Sequence, residues 1–251
     1  MITRKSPDEI ERMREAGEIV AETLELCRSM ANPGVTTEEM DAEAEALIRR
    51  RNGIPLFKGY RGYPKTICAS IDEEVVHGIP GPRKLEAGQL LSVDVGVKLA
   101  GYCADAAVTC PVGRWPEGGE ALAAACGEAL KRATACLRAG VKLSTVCRTI
   151  QTYVESQGYS VVRRYTGHGI GREMHEEPQV PNFFTPAMQD VILPLGAVLA
   201  LEPMINAGRA EVEVLGNGWT VVTKDRSLSA HFEHTVAVSE SGPDVLTVKR
   251  T

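Results

Sequence analysis

Leu85-Glu86-Ala87-Gly88-Gln89-Leu90-Leu91-Ser92-Val93-Asp94 has a counterpart 108 positions later, Leu193-Pro194-Leu195-Gly196-Ala197-Val198-Leu199-Ala200-Leu201-Glu202. Leucine, glycine and leucine recur at the same spacing in both, and each apolar run ends on a carboxylate. Chance is a poor explanation for an acid at the same place in two otherwise apolar strands, because a buried carboxylate without a partner is costly. The match extends upstream: Gly34-Val35 before a helical pattern answers to Gly140-Val141, Gly53 at a helix end to Gly158, and Tyr60 and Gly62 to Tyr165 and Gly167, at offsets of 105 or 106. The repeated unit is two helices followed by strands. Two long copies do not make a solenoid. The reading is therefore one α+β domain over residues 1–251, with halves of about 5–113 and 117–240. These pack about a pseudo-twofold axis, their strands in a central antiparallel sheet and their helices covering it.

Local signals mark the elements. Ser6-Pro7-Asp8-Glu9 is a capping box with proline at the first helical position. Ile10, Met13, Val20, Leu24 and Cys27 then share one helical face until Asn32-Pro33-Gly34 stops it. A second helix begins at Thr36 and ends at Asn52-Gly53; the corresponding pair covers 117–138 and 144–157. Strands are expected over 66–70, 88–97 and 102–112, with a loop over 73–82 that carries His77. Gly216-Asn217-Gly218 reads as the turn of an inserted hairpin.

Asp94 and Asp105 flank a hairpin whose loop centres on Leu99-Ala100, which would set the two aspartates directly opposite each other. Phe232-Glu233-His234-Thr235-Val236 resembles Ala104-Asp105-Ala106-Ala107-Val108 at an offset of 128, the excess over 108 being the inserted hairpin. Glu233 thus takes the role of Asp105, and Asp94, Asp105, Glu202 and Glu233 form two symmetric pairs. His168 joins them from Tyr165-Thr166-Gly167-His168-Gly169-Ile170-Gly171-Arg172-Glu173-Met174-His175-Glu176-Glu177-Pro178, where three alternating glycines disfavour a helix and favour a strand end running into a loop. The spacing is G-x-G-x-G, not the G-x-G-x-x-G of dinucleotide sites. Four carboxylates and one imidazole suit two divalent cations, about 3.5–4 Å apart with carboxylates bridging them. Oxygen ligands with one nitrogen admit Mn, Co, Fe or Zn without choosing. Such a pair activates a bridging water as hydroxide and polarises a carbonyl, so the chemistry expected is hydrolysis.

The composition narrows the class. Apolar residues make up 43% and charged ones 24%, ordinary for a globular protein, and the net charge of −5 argues against nucleic acid as a principal partner. Seven cysteines with no C-x-x-C spacing argue against a disulfide framework or a thiolate zinc site. There is no 18-residue apolar segment and no basic-then-apolar N-terminus. Neither a membrane span nor a secretory signal is expected, and the cytoplasm is the expected location.

Of the remaining histidines, His175 and His77 are free for proton transfer or for binding the oxygen of a tetrahedral intermediate. His231 and His234 flank Glu233 and are expected on the opposite face, in packing or surface positions. Tyr60, Tyr63, Cys68 and Trp219 line either an apolar pocket or the core.

Taken with Gly167-His168-Gly169-Ile170-Gly171, His175-Glu176-Glu177-Pro178, Glu202-Pro203-Met204 and Thr223-Lys224-Asp225-Arg226-Ser227-Leu228-Ser229-Ala230, the ligand set resembles the methionine aminopeptidases over about residues 5–240. The resemblance implies the duplicated pita-bread fold and removal of the initiator methionine from nascent polypeptides whose second residue is small. Only 26 residues separate His175 from Glu202, which resembles the type I enzymes, and the absence of a eukaryotic N-terminal extension resembles bacterial ones. It further implies that Asp94 chelates one metal, that His168 and Glu202 hold the other, and that Asp105 and Glu233 bridge. On the same basis His175 contacts the scissile carbonyl, His77 the substrate amide, Glu202 is catalytic as well as a ligand, and Tyr60, Tyr63, Cys68 and Trp219 line the methionine pocket. Transient ribosome association and a monomeric state are also expected. The chain departs from the family at Ala104, Ala106, Met174, Ala200 and His231, where Gly, Thr, an aromatic, a hydroxyl residue and Gln are usual; none of these removes a ligand. The enzymatic alternative, a proline-specific peptidase of the same fold, carries a large extra N-terminal domain for which this chain has no length. The non-enzymatic alternative, a binding module, would be marked by ligand loss, yet all five are present.

Overall fold

A computed structural model of the chain describes residues 2–188 and 190–250. Helix α1 (Pro7–Ser29) opens on the expected capping box, in which the Ser6 side chain accepts from the Glu9 N–H and the Glu9 carboxylate accepts from the Ser6 N–H. Helix α2 (Thr37–Arg50) repeats that device with Thr36 and Glu39. Strands β1 (Ile54–Pro55), β2 (Ile67–Ile71), β3 (Glu74–Val76), β4 (Leu90–Leu99) and β5 (Tyr102–Pro111) complete the first half. Helices α3 (Gly119–Ala135) and α4 (Leu143–Ser156) begin the second half. They are followed by β6 (Ser160–Val161), β7 (Thr166–Gly169), β8 (Glu176–Pro181), β9 (Val198–Leu201) and β10 (Met204–Asn206). The inserted hairpin is β11 (Val212–Val214) and β12 (Val221–Thr223), after which come β13 (Ser229–His231), β14 (His234–Ser239) and β15 (Gly242–Val245).

All the pairings are antiparallel. In the first half β4 pairs with β5 on one side and with β2 and β1 on the other, and α1 lies across β4 and β5. In the second half the order is β15-β14-β9-β7-β8, with a smaller β13-β10-β6 sheet continuing it. Each half has its own apolar core. One draws on residues 16–112, with Val20, Met40, Ile48 and Val93 at its centre; the other draws on residues 90–238, with Leu122, Ile150, Leu199 and Val236.

Two local expectations are corrected. The β4–β5 turn is Ala100-Gly101, with φ of 48° and 87°, so Leu99 faces Tyr102, Asp94 faces Ala107 and Asp105 faces Gly96. A two-residue turn of this hand needs positive φ at both central positions, and Gly101 draws it one residue beyond Leu99-Ala100. The pairing shifts by two, which leaves both aspartates on one face as diagonal rather than direct neighbours. The second correction is β3, which lies within the segment read as a loop. Its three residues gain a ladder only by pairing with β12 of the inserted hairpin, a partner supplied by the other half of the chain.

The halves meet where β5 approaches β13 and β14. Ala107 and Glu233 exchange backbone hydrogen bonds, the Ala107 N–H at 3.3 Å and the Glu233 N–H at 2.9 Å. On either side a threonine hydroxyl fills a gap in the ladder. Thr235 Oγ1 accepts from the Asp105 N–H at 2.9 Å and donates to the Asp105 carbonyl at 2.8 Å. Thr109 Oγ1 does the same for His231, at 2.9 Å and 2.8 Å. Substituting Thr235→Val therefore strands a buried donor and a buried acceptor on Asp105, a loss of roughly 2–3 kcal/mol that lowers the melting temperature by about 5–10 °C. Thr235→Ser should keep most of that stability, and calorimetry of the two variants checks the difference.

Candidate metal centre

Each strand that delivers a carboxylate does so beside this seam. Asp94 and Asp105 come from β4 and β5, whose ladder is unbroken there. Glu202 and Glu233 sit where the β9–β10 and β13–β14 pairing is interrupted: Leu201 faces His234 and Met204 faces His231, leaving Glu202-Pro203 opposite Phe232-Glu233. Pro203 has no N–H to give a ladder, which accounts for the interruption. His168 is carried by β7 between two glycines that cannot be replaced in place. A Cβ on Gly167 would lie 2.4 Å from the Ala200 carbonyl oxygen, and one on Gly169 would lie 2.2 Å from that of Glu177. The Gly-His-Gly run thus records how closely β8 and β9 approach the histidine's backbone.

Ligand atoms of Asp105, His168 and Glu233 all lie within 4.8 Å of one another. Asp94 lines the same cavity beside Asp105, and Glu202 Oε1 lies 3.6 Å from His168 Nε2. His168 Nδ1 donates to its neighbour, the Gly169 carbonyl, at 2.9 Å, which leaves the Nε2 lone pair facing the carboxylates. The five residues predicted as ligands are therefore in one place. Asp94 Oδ1, Asp105 Oδ1 and Glu233 Oε1 are buried with no hydrogen-bond donor. Native interiors rarely tolerate one such atom, and three converging carboxylate oxygens are what a divalent cation satisfies.

The electrostatics agree with that fit. Burial, with the neighbouring charges next, pushes Asp94, Glu202 and Glu233 well above the ordinary carboxylate range, and burial raises Asp105 to about 7. Burial also lowers His168 and His77 to about 4 and His231 to about 3, so all three imidazoles are neutral at pH 7. Raised carboxylates hold protons in the folded state that the unfolded chain has released, so their ionisation costs stability as pH climbs. Lowered histidines act in the opposite sense, but only below about 6.5. Between about pH 6.5 and 7.5 the carboxylates act alone; above about 8 the buried cysteine thiols, whose pKa burial raises, add a loss of the same sign. The melting temperature of chelator-stripped protein should fall between about pH 6.5 and 7.5, and a saturating divalent cation should abolish the fall; a flat profile in the stripped protein would contradict the cluster.

Above the carboxylates the cavity, of about 290 Å³, is walled by an apolar cluster of Phe57, Tyr63, Cys68 and Met174, with Tyr60 and Trp219 beside it. The edge of Tyr63 meets Trp219, ring centroids 5.1 Å apart, and His77 stands edge-on to Tyr165 at 5.6 Å. His77 has a left-handed φ of 60°, a conformation rare for a residue with a side chain. The His175 ring lies 4.3 Å from that of His168, and Tyr60 Oη is 2.9 Å from His175 Nδ1. With Tyr60 donating, the His175 proton sits on Nε2. The loop ahead of His175 is pinned from behind. Lys5, nearly buried, pairs with Glu176 at 2.7 Å, and the Glu176 carboxylate accepts from the Arg172 N–H at 2.9 Å.

Every residue expected at the site lines this one cavity. His231 is buried, as a packing position requires, but not on the expected face. It lies with its Nε2 3.9 Å from Glu202 Oε2, and that nitrogen is buried without a hydrogen bond. Residues two apart on a strand share a face, and counting back from Glu233 by two reaches His231; that period is the signal that places it. His234 does face away, pairing through Nδ1 with Thr247 Oγ1 at 2.8 Å. Arg61 and Tyr165 also line the cavity; no motif singled out Arg61, whereas Tyr165 is the repeat counterpart of Tyr60, the signal that could have placed it.

Comparison with known proteins agrees along the whole chain. A sequence profile of metallopeptidase family M24 matches residues 11–240. "Methionine aminopeptidase 1" of Bacillus subtilis is 47% identical over 247 residues, 98% of this chain and 99% of that protein. A methionine aminopeptidase of Clostridium acetobutylicum is 48% identical over 249 residues, 99% of each. The crystal structure of methionine aminopeptidase from Thermotoga maritima superposes with a TM-score of 0.96 at 43% identity, covering 99% of this chain and 100% of that one.

Proposed function

The chain belongs to metallopeptidase family M24, and from that premise we infer that it is a metal-dependent aminopeptidase that removes the N-terminal initiator methionine from polypeptides. The observation that carries the reading is the juxtaposition, in one cavity, of Asp94, Asp105, His168, Glu202 and Glu233 with an apolar cluster of Phe57, Tyr63, Cys68 and Met174. The pita-bread fold is shared with the structural relative. Residues 1–251 are read as one catalytic domain because both halves contribute ligands.

In this reading Asp94, Asp105, His168, Glu202 and Glu233 would together hold the divalent ions. Bound there, the ions supply Lewis acidity toward the scissile carbonyl and bring a water's pKa toward neutrality. The apolar cluster takes the methionine side chain, and the acidic end of the cavity draws in the free α-ammonium group. Glu202, at the wall of the cavity beside His168, accepts the proton released by the attacking water. His175, its proton fixed on Nε2 by Tyr60, donates to the carbonyl oxygen as charge develops there. His77, neutral and held by Tyr165 and Trp219, contacts the amide and assists proton transfer to the leaving amine.

The finer reading is a preference for a small second residue, an N-terminus presented on nascent chains with transient ribosome contact, a monomer, and no direct nucleic-acid binding. A cytoplasmic location goes with it; among the described residues no helix is long and apolar enough to cross a membrane. The experiment is release of free methionine from a Met-Gly-containing tripeptide by chelator-stripped protein, with Mn, Co, Fe or Zn restored singly and Glu202→Ala as control. Metal-dependent release that the control lacks is expected. No release with any ion from folded protein would overturn the reading.

A further inference from the structure

We infer that Arg61 is a specificity-determining residue that reads a carboxylate side chain at the third position of the peptide; the inference rests on the function proposed above. Arg61 lines the cavity from its exposed end, opposite the buried carboxylates. It occupies a left-handed conformation, φ 49° and ψ 24°, between Gly59 and Gly62, both at φ 89°. A side chain held in that region costs about 1 kcal/mol or more, and such positions cluster at ligand sites. The backbone fold turns the guanidinium back over Tyr60, with Cζ 5.3 Å from the ring centroid. Tyr60 is the residue that touches His175, and the positive charge of Arg61 adds to burial in lowering the His175 pKa. The cation therefore faces inward over the site.

Among the described residues Arg61 makes no ion pair, whereas Lys58 and Lys65, the basic residues on either side of it in sequence, pair with Glu45 and Glu38. A substrate with its ammonium group among the carboxylates and its methionine in the apolar cluster leaves the cavity past His175. Its second residue would then lie beside the Tyr60–His175 pair, and its third would reach the exposed side of the cavity, where Arg61 stands over Tyr60. An aspartate or glutamate there gains a partner, and a lysine is repelled.

The test uses C-terminally amidated Met-Ala-Xaa-Ser peptides with Xaa Glu, Gln or Lys, so that no terminal carboxylate competes. Wild-type enzyme should favour Glu over Lys by roughly fivefold in kcat/KM, the size of an exposed ion pair, and 0.5 M KCl should erase the difference. The ratio should approach one in Arg61→Gln, invert in Arg61→Glu and persist in Arg61→Lys. An equal ratio in wild type and Arg61→Gln overturns the inference. Titrating Trp219 fluorescence of the chelator-stripped protein with the same peptides gives affinities without turnover. Should no peptide be cleaved with any ion, the function fails while the order of those affinities still decides the role of Arg61.

Discussion

Replacing Glu233 with alanine is expected to abolish activity and, in the chelator-stripped protein, to raise thermal stability. The two effects have one cause. Glu233 is buried with Asp94, Asp105 and Glu202 around the same cavity, and its Oε1 has no donor, so without a cation the fold must keep it protonated, at a cost in stability at pH above the usual carboxylate range. Removing it relieves repulsion in the empty site and removes a bridge from the filled one. Loss of charge stabilisation worth several kcal/mol in the transition state corresponds to at least about a thousandfold in kcat/KM. Bound metal, measured by elemental analysis after dialysis, should fall below that of wild type. A carboxylate with a structural role would behave differently: Glu233→Ala would melt earlier than wild type even when stripped, and that result would rule out the reading of a cation-bridging group.

The second large effect is expected at His175. His175→Ala should lower kcat by about 10²–10³, the loss that follows removal of one donor to a developing oxyanion, with KM and metal content near the wild-type values. Tyr60→Phe should show the same signature at smaller size, roughly fivefold to tenfold, because it removes only the hydrogen bond that fixes which ring nitrogen carries the proton. Steady-state kinetics with metal analysis on both variants separates this role from a ligand role. An effect confined to KM, or a drop in bound metal, would place His175 elsewhere in the chemistry.

Much of this architecture was legible before any coordinates. The internal repeat paired Asp94 with Glu202 and Asp105 with Glu233, because duplication keeps spacing while the rest of the sequence drifts. Capping boxes at Ser6 and Thr36 marked helix starts to within a residue, since the boxes are built from neighbouring side chains. Long-range matters were harder. The register of the β4–β5 hairpin depended on whether Leu99 or Gly101 took the turn, and glycine's freedom at positive φ decided it. Strand β3 exists through a partner about 145 residues away, which no local pattern announces. His231 was assigned to the wrong face, although the alternation that governs strands places it beside Glu202. Arg61 carries no motif at all; its interest comes from where two positive-φ glycines point it.

The seam also has a consequence for how the chain is made. Asp105 is held by Thr235 and Ala107 by Glu233, contacts that span more than half the sequence, and such non-local pairing makes folding slow. During synthesis the first half emerges with β5 as an open edge and two aspartates facing no counter-charge. That edge invites pairing with other chains until β13 and β14 arrive to close it. Metal capture and edge protection therefore come in one late event. A chain whose candidate ligands come from both halves cannot assemble its site until residue 233 has been added.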